Sequence, residues 1–419
     1  MTNQTPPFLS RSAMWLAFAS AGSILISIAV SQILLALAVI ALLLSGERLR
    51  WPPIKLPMLL FMFGTVLSLA FSGEPAAGLP GIRKFYVFLI LLVVFSTLRD
   101  LALARYLMLS WAGLGALVAL RGFVQFGAKV REAQQLHISF YNYYVPGDRI
   151  TGFMSHWMTF SGQEMFALLM LAAFLFYAPA ALRRTWLWLL CAVLMSLAVV
   201  LGMTRNSWLG CGIGGIYLIW FWRRWVLAVL PIVAVLAVLF APADLRERFT
   251  SVIHPRTGID SNAHRMVTWR TGLEIIRKHP LLGLGPEGVK LHFDEYVPAD
   301  IPRPLPIGWY GHLHNIYLQF AAERGIPTMF MLMWMLGKIG WDFARGLRVL
   351  APGRGDRRFL LHGGIAVLLA TLSAGFFEHN LGDSEVLTMF LVVVACGYLA
   401  LEPELVPSEV TAKEGVTVA

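Results

Sequence analysis

Residues 13–45 read AMWLAFASAGSILISIAVSQILLALAVIALLLS, without one charged side chain. Ala19-Ser20-Ala21 looks like a signal-peptide cleavage site, but the run far exceeds the roughly 7–15 apolar residues of a signal core. It predicts two uncleaved helices, near 13–28 and 30–45. Similar runs recur along the chain. Of its 419 residues 58% are hydrophobic and 14% charged, with a mean hydropathy of +0.68. A soluble domain carries about 25% charged residues. The composition therefore predicts an all-α integral membrane protein, and the weak alternating strands of an outer-membrane barrel are absent.

At about 20 apolar residues per crossing, further spans fall near 56–72, 84–98, 103–125, 158–178, 185–203, 206–222, 225–242, 326–343, 359–378 and 384–402. Twelve spans put both termini on one side. The short loops on that side hold sixteen Lys and Arg, against Arg83, Lys84 and Arg205 on the other. The positive-inside rule makes the termini cytoplasmic. The division expected is a bundle over 1–242 with an outer segment at 126–157, an outer loop domain at 243–313, a second bundle at 314–402, and a disordered tail at 403–419. The net charge of +10 orients loops and attracts anionic lipid or phosphate. Basic residues spread among membrane segments argue against nucleic acid. Cys191, Cys211 and Cys396 all lie in apolar runs, so no disulfide framework or thiolate zinc site follows.

Nine of the ten histidines fall on the outer side, which places proton chemistry there. Residues 310–327, YGHLHNIYLQFAAERGIP, bring His312 and His314 to the mouth of a membrane helix. His314 is expected to begin that helix, with Tyr317, Leu318 and Ala321 on its face and Gln319 and Glu323 on another. Either histidine can act as a general base. A metal site would need further ligands, and no nearby carboxylate completes the pair, so no metal is expected. Arg205 is held at the bundle top by the short link MTRNSW. In the outer loop, NAHRMVTWRTGLEIIRKH reads as an amphipathic helix capped by Ser261-Asn262 and ended by His279-Pro280. Its apolar face is Met266, Trp269, Leu273 and Ile276, with Arg265 beside it. Arg83, Lys84, Arg149, Arg205 and Arg265 can ring one outward cavity, where planar guanidinium forks suit a diphosphate. The alternatives are a snorkelling Arg205 and buried, hydrogen-bonded histidines.

His314-Asn315 with Leu318, Gln319, Glu323 and Gly325, together with Arg205 after a span and Arg265 before the Pro-x-x-Gly-x-Gly turn, resembles the Wzy_C-type family of O-antigen ligases and polymerases, the WaaL-type ligases above all. Family members often carry His-Ser where this chain has His-Asn. The resemblance implies a GT-C-like, metal-independent, inverting glycosyltransferase of the bacterial inner membrane with no cofactor, its active site periplasmic. The donor would be O-antigen on undecaprenyl diphosphate and the acceptor a sugar hydroxyl of lipid A–core, in a setting of membrane lipids. It makes His314 the base, with Arg205 and Arg265 catalytic at the diphosphate and Arg149 in support. His312 replaces His314 as the base if the alignment slips by two residues. A polymerase on the same carrier is the alternative within the family. A flippase or transporter is the alternative outside it, disfavoured because neither internal repeats nor midplane charges are evident.

Overall fold

The computed structural model describes residues 8–147, 149–178, 186–251, 262–350 and 355–403. Ser261, Arg183, Arg184, Arg354 and most of the expected tail lie outside them. All regular secondary structure among the described residues is helical. Helices occupy every predicted span. Among the described residues, four are long and apolar enough to cross a bilayer by themselves: Pro75–Thr97, Leu101–Gln135, Trp157–Tyr177 and Ser384–Leu401. Outward-facing apolar side chains such as Phe63, Leu43 and Ile33 form a surface that lipid covers without cost. The chain is a helical multi-pass membrane protein.

Several boundaries differ from the sequence expectation. The helix Leu101–Gln135 runs for 35 residues, so part of the expected outer segment at 126–157 is a continuation of the span. The spans expected at 206–222 and 225–242 form one bent unit, with Arg205–Ala228 and Leu230–Phe240 meeting at 74°. The eleven-residue Leu230–Phe240 rises only about 16 Å. Even so, the chain returns to the end it left: Arg205 Nη1 donates to the carbonyl of Ser251 at 3.0 Å.

Small residues let the helices approach closely. Arg205–Arg223 lies on Gly355–Ala374 through Gly210 and Gly214, and a Cβ at Gly214 would sit 2.9 Å from the Ala366 carbonyl. At one end of the bundle Arg50 pairs with Glu402, Arg99 with Glu47 and Arg105 with Asp356, joining loops that the charge count assigns to the inside. The opposite end holds a large cavity.

Asn262–Lys278 forms the expected loop helix, but it buries a different face. Met266 and Leu273 are exposed, while His264, Val267, Thr268, Thr271, Gly272 and Ile275 are buried. Close packing against Leu313, whose Cδ1 would lie 2.5 Å from a Cβ at Gly272, selects the side with small residues over the side with large ones. The helix Ile316–Val349 is broken at Gly325, with φ 79° and ψ 160°. The turn after His279-Pro280 fills the break: Leu284 N donates to Ala322 O at 2.9 Å, Gly285 N to Glu323 O at 2.8 Å and Ile326 N to Pro280 O at 2.8 Å. Ser68 Oγ donates to Leu282 O at 2.6 Å and contacts Glu323 O at 2.8 Å. This satisfies carbonyls that the broken helix would otherwise leave bare.

Candidate active site

The cavity has a volume of 1180 Å³. It gathers Lys84, Arg149, Arg205, Arg265, His312, His314 and Gln319, from segments far apart in the chain. Arg83 is not brought there. It sits exposed at the end of Pro75–Arg83, so the expected ring of positive charge lacks it. The Lys84 ammonium donates to the Gly382 carbonyl at 2.9 Å, which ties it to the loop before the last helix.

His314 does not begin the helix. Asn315 is the N-cap, its Oδ1 accepting from Leu318 N at 3.0 Å. His314 lies outside with a left-handed φ of 49°. Two anchors hold the strand of chain before the helix. Gln319 Oε1 accepts from Leu313 N at 2.7 Å, so Gln319 shapes the loop rather than offering its carbonyl oxygen to a substrate. Ile316 N donates to Gly375 O at 2.8 Å and Asn315 Nδ2 to Phe376 O at 3.1 Å. These bonds draw the 375–383 connection against the histidines and deliver Glu378.

Glu378 corrects the expectation that no carboxylate completes the His pair. Its Oε2 lies 3.3 Å from His314 Nδ1 and its Oε1 3.6 Å from His312 Nε2. The His379 N–H fixes Oε1 at 3.0 Å. Burial alone would push this carboxyl up, but His314, His312 and Arg265 outweigh it and hold Glu378 well below the usual carboxylate range. Burial pushes His312 down to about 4, against the pull of Glu378, and likewise His264, whose ring centroid lies 5.1 Å from that of His314. His312, His314 and Glu378 offer three ligand atoms within 4.8 Å of one another, a spacing at which a zinc ion can be held.

The basic wall contains a residue that was not singled out from the sequence. Arg248 is 3% exposed and donates through Nε to Met203 O at 3.0 Å. Arg205 Nη2 donates to Asn262 Oδ1 at 2.7 Å. Arg149 spends much of its fork on backbone: Nη2 donates to Val145 O at 2.7 Å and Nη1 to Met203 O at 3.3 Å. Burial first, then Arg248, lowers Arg149, with Arg265 and Arg205 adding to the effect. Arg265 has a buried Nε without a hydrogen-bond partner among the described residues. Like charges confined together in low dielectric are costly until an anion joins them. Such a wall has the chemistry to take a multiply charged anion, close to a carboxylate-backed imidazole.

No curated protein matches the chain. The Wzy_C (O-antigen ligase) family model matches residues 190–333, about a third of the length. The match contains Arg205, Arg248, Arg265, His312 and His314, and leaves Arg149 and Glu378 outside. Over the part of the chain that carries most of the basic wall and both candidate bases, this membrane protein is similar to the O-antigen ligases.

Proposed function

We propose that the protein is an O-antigen ligase: a metal-independent, GT-C-like, inverting glycosyltransferase that moves O-antigen polysaccharide from undecaprenyl diphosphate to a sugar hydroxyl of lipid A–core. The reaction takes place at the periplasmic face of the inner membrane, within a bundle of about twelve spans whose termini are cytoplasmic. The observation that carries this reading is one cavity, at the outer end of the bundle by the charge count, that contains His314 beside Glu378 and the guanidinium groups of Arg149, Arg205, Arg248 and Arg265.

The chemistry follows from those groups. His314 takes the proton of the acceptor hydroxyl as its oxygen attacks the anomeric carbon. The bond from that carbon to the diphosphate oxygen breaks on the opposite face, so configuration inverts. Negative charge grows on the departing diphosphate, and Arg205 and Arg265 stabilise it from fixed positions. Arg248 and Arg149 surround the same anion and hold neighbouring backbone in place. No cofactor enters these steps.

A polymerase on the same carrier is the second reading, since the matched family model does not separate it from a ligase. Replacing His314 by Ala and examining lipopolysaccharide on gels tests both. A ligase loses core-linked glycan while lipid-linked polymer accumulates, with rates down by about 10²–10⁴. A polymerase leaves core bearing one repeat. Unchanged lipopolysaccharide in a folded variant rejects both and favours a transporter.

A further inference from the structure

Glu378 faces both candidate bases, and the hydrogen bonds around it decide which of them has a lone pair to use. The backbone N–H of His314 points at Nδ1 of His312, 3.1 Å away. That nitrogen accepts and carries no proton, so in the neutral ring the proton sits on Nε2. Nε2 is the atom that faces Glu378. A half-turn of the His312 ring would set a carbon against the His314 N–H and leave that donor unpaired. His312 therefore has one nitrogen accepting and the other protonated. His314 meets the second oxygen of the same carboxylate through Nδ1. Opposite an ionised carboxylate this nitrogen donates, which leaves the ring's lone pair on Nε2.

We propose that Glu378, held by the His379 N–H, is a positioning residue that fixes His314 in its Nδ1–H tautomer and makes Nε2 of His314, and no atom of His312, the base of the transfer. The proposal rests on reading the cavity as a transferase site. During attack the hydroxyl proton moves to Nε2, the new carbon–oxygen bond forms and the bond to the diphosphate breaks. The imidazolium produced lies against Glu378, which stabilises its charge without taking its proton. After product leaves, the proton passes to water. The same bonds work against a zinc ion in this arrangement. A metal on His312 Nε2 would push the ring's proton to Nδ1, directly against the His314 N–H.

The direct test is the imidazole ¹⁵N spectrum of the full-length protein, histidine-labelled, in nanodiscs at pH 8. Signals are assigned by the replacements His312→Gln and His314→Gln. The expected result is a proton on Nδ1 of His314 and on Nε2 of His312. The reverse tautomer at either ring overturns the proposal, whatever the activity. Glu378→Gln sets an amide N–H against an imidazole, and should lower kcat by about 10²–10⁴ with the donor KM little changed. The acid limb of its pH–rate profile should move down by about one unit or more, and Glu378→Asp should recover part of the rate. A loss confined to thermal stability or KM, with the limb unmoved, overturns the proposal. Activity abolished by EDTA and restored by Zn²⁺ but not Mg²⁺ does so as well. Wild-type protein with the expected tautomers but no transfer from purified lipid-linked glycan instead removes the transferase reading and leaves the tautomer assignment standing.

Discussion

Arg205 and Asn262 join the two halves of the cavity: the guanidinium at the start of one membrane helix donates to the side-chain carbonyl at the start of the loop helix, at 2.7 Å. That helix carries His264 and Arg265 two and three residues later, so the contact sets where the anion wall stands relative to the imidazoles. Asn262→Ala should reduce kcat/KM with lipid-linked donor by about tenfold while Arg205 itself remains. Arg205→Ala should cost more, about 10²–10³. Transfer assays on variants with matched thermal stability check both.

Arg265 offers an unpaired N–H at the cavity, so its geometry as well as its charge is at stake. Arg265→Lys keeps the charge and loses the fork. Inorganic pyrophosphate should compete with donor in the wild type, and its inhibition constant should rise by about tenfold or more in the variant. An unchanged constant would place the diphosphate away from Arg265.

Gly325→Ala should unfold the region rather than tune it. The position needs φ 79°, and a Cβ there would overlap the carbonyl of Leu281. Left-handed backbone alone costs about 1–3 kcal/mol for a non-glycine residue, and the overlap adds to it. Expression in membranes and the melting temperature in detergent report the loss.

Acid should weaken the fold in a defined window. Burial pushes His264 and His312 down to about 4 from the ordinary value of 6.5. Between those values the unfolded chain binds protons that the folded chain refuses, so the contribution of these two rings falls as pH drops from about 6.5 toward 4 and is constant below, where protonation of Glu378 continues the loss. Above 6.5 both rings are neutral in either state and nothing is lost. The effect is on the order of 1 kcal/mol per imidazole once solvent screening is allowed for. Melting temperatures from pH 7.5 to 4.5 should show it, with a shallower slope in His264→Gln.

Much of this was legible in the sequence. Apolar runs long enough to span are nearly unambiguous, so helices appear where 13–45 and its counterparts predict them. Charges at span ends and on the loop helix suggested a ring of Arg83, Lys84, Arg149, Arg205 and Arg265, and the cavity gathers all of these but Arg83. Other features were hidden for identifiable reasons. Glu378 lies 64 residues from His314, and a search for ligands along the chain cannot find a partner delivered by another loop. The only signal was the polar link FFEHNLGDSE between two apolar spans, on the same side as the other histidines. Arg248 was one of several charges in DLRERF, with nothing local to single it out. The face of Asn262–Lys278 was misread because periodicity weighs hydrophobicity, whereas a tight approach to Leu313 rewards small side chains.

The break at Gly325 has a consequence for how substrates enter. Ala322 and Glu323 surrender their carbonyls to the turn at 280–285, and Ile326 returns the bond to Pro280. A hinged lid that lifted this turn would break the hydrogen bonds that satisfy those buried carbonyls. The turn and the broken helix must travel as a single block, carrying the arginine-bearing loop helix with them. Under the proposed reaction, a lipid-linked donor would have to reach the cavity with this turn still seated in the broken helix.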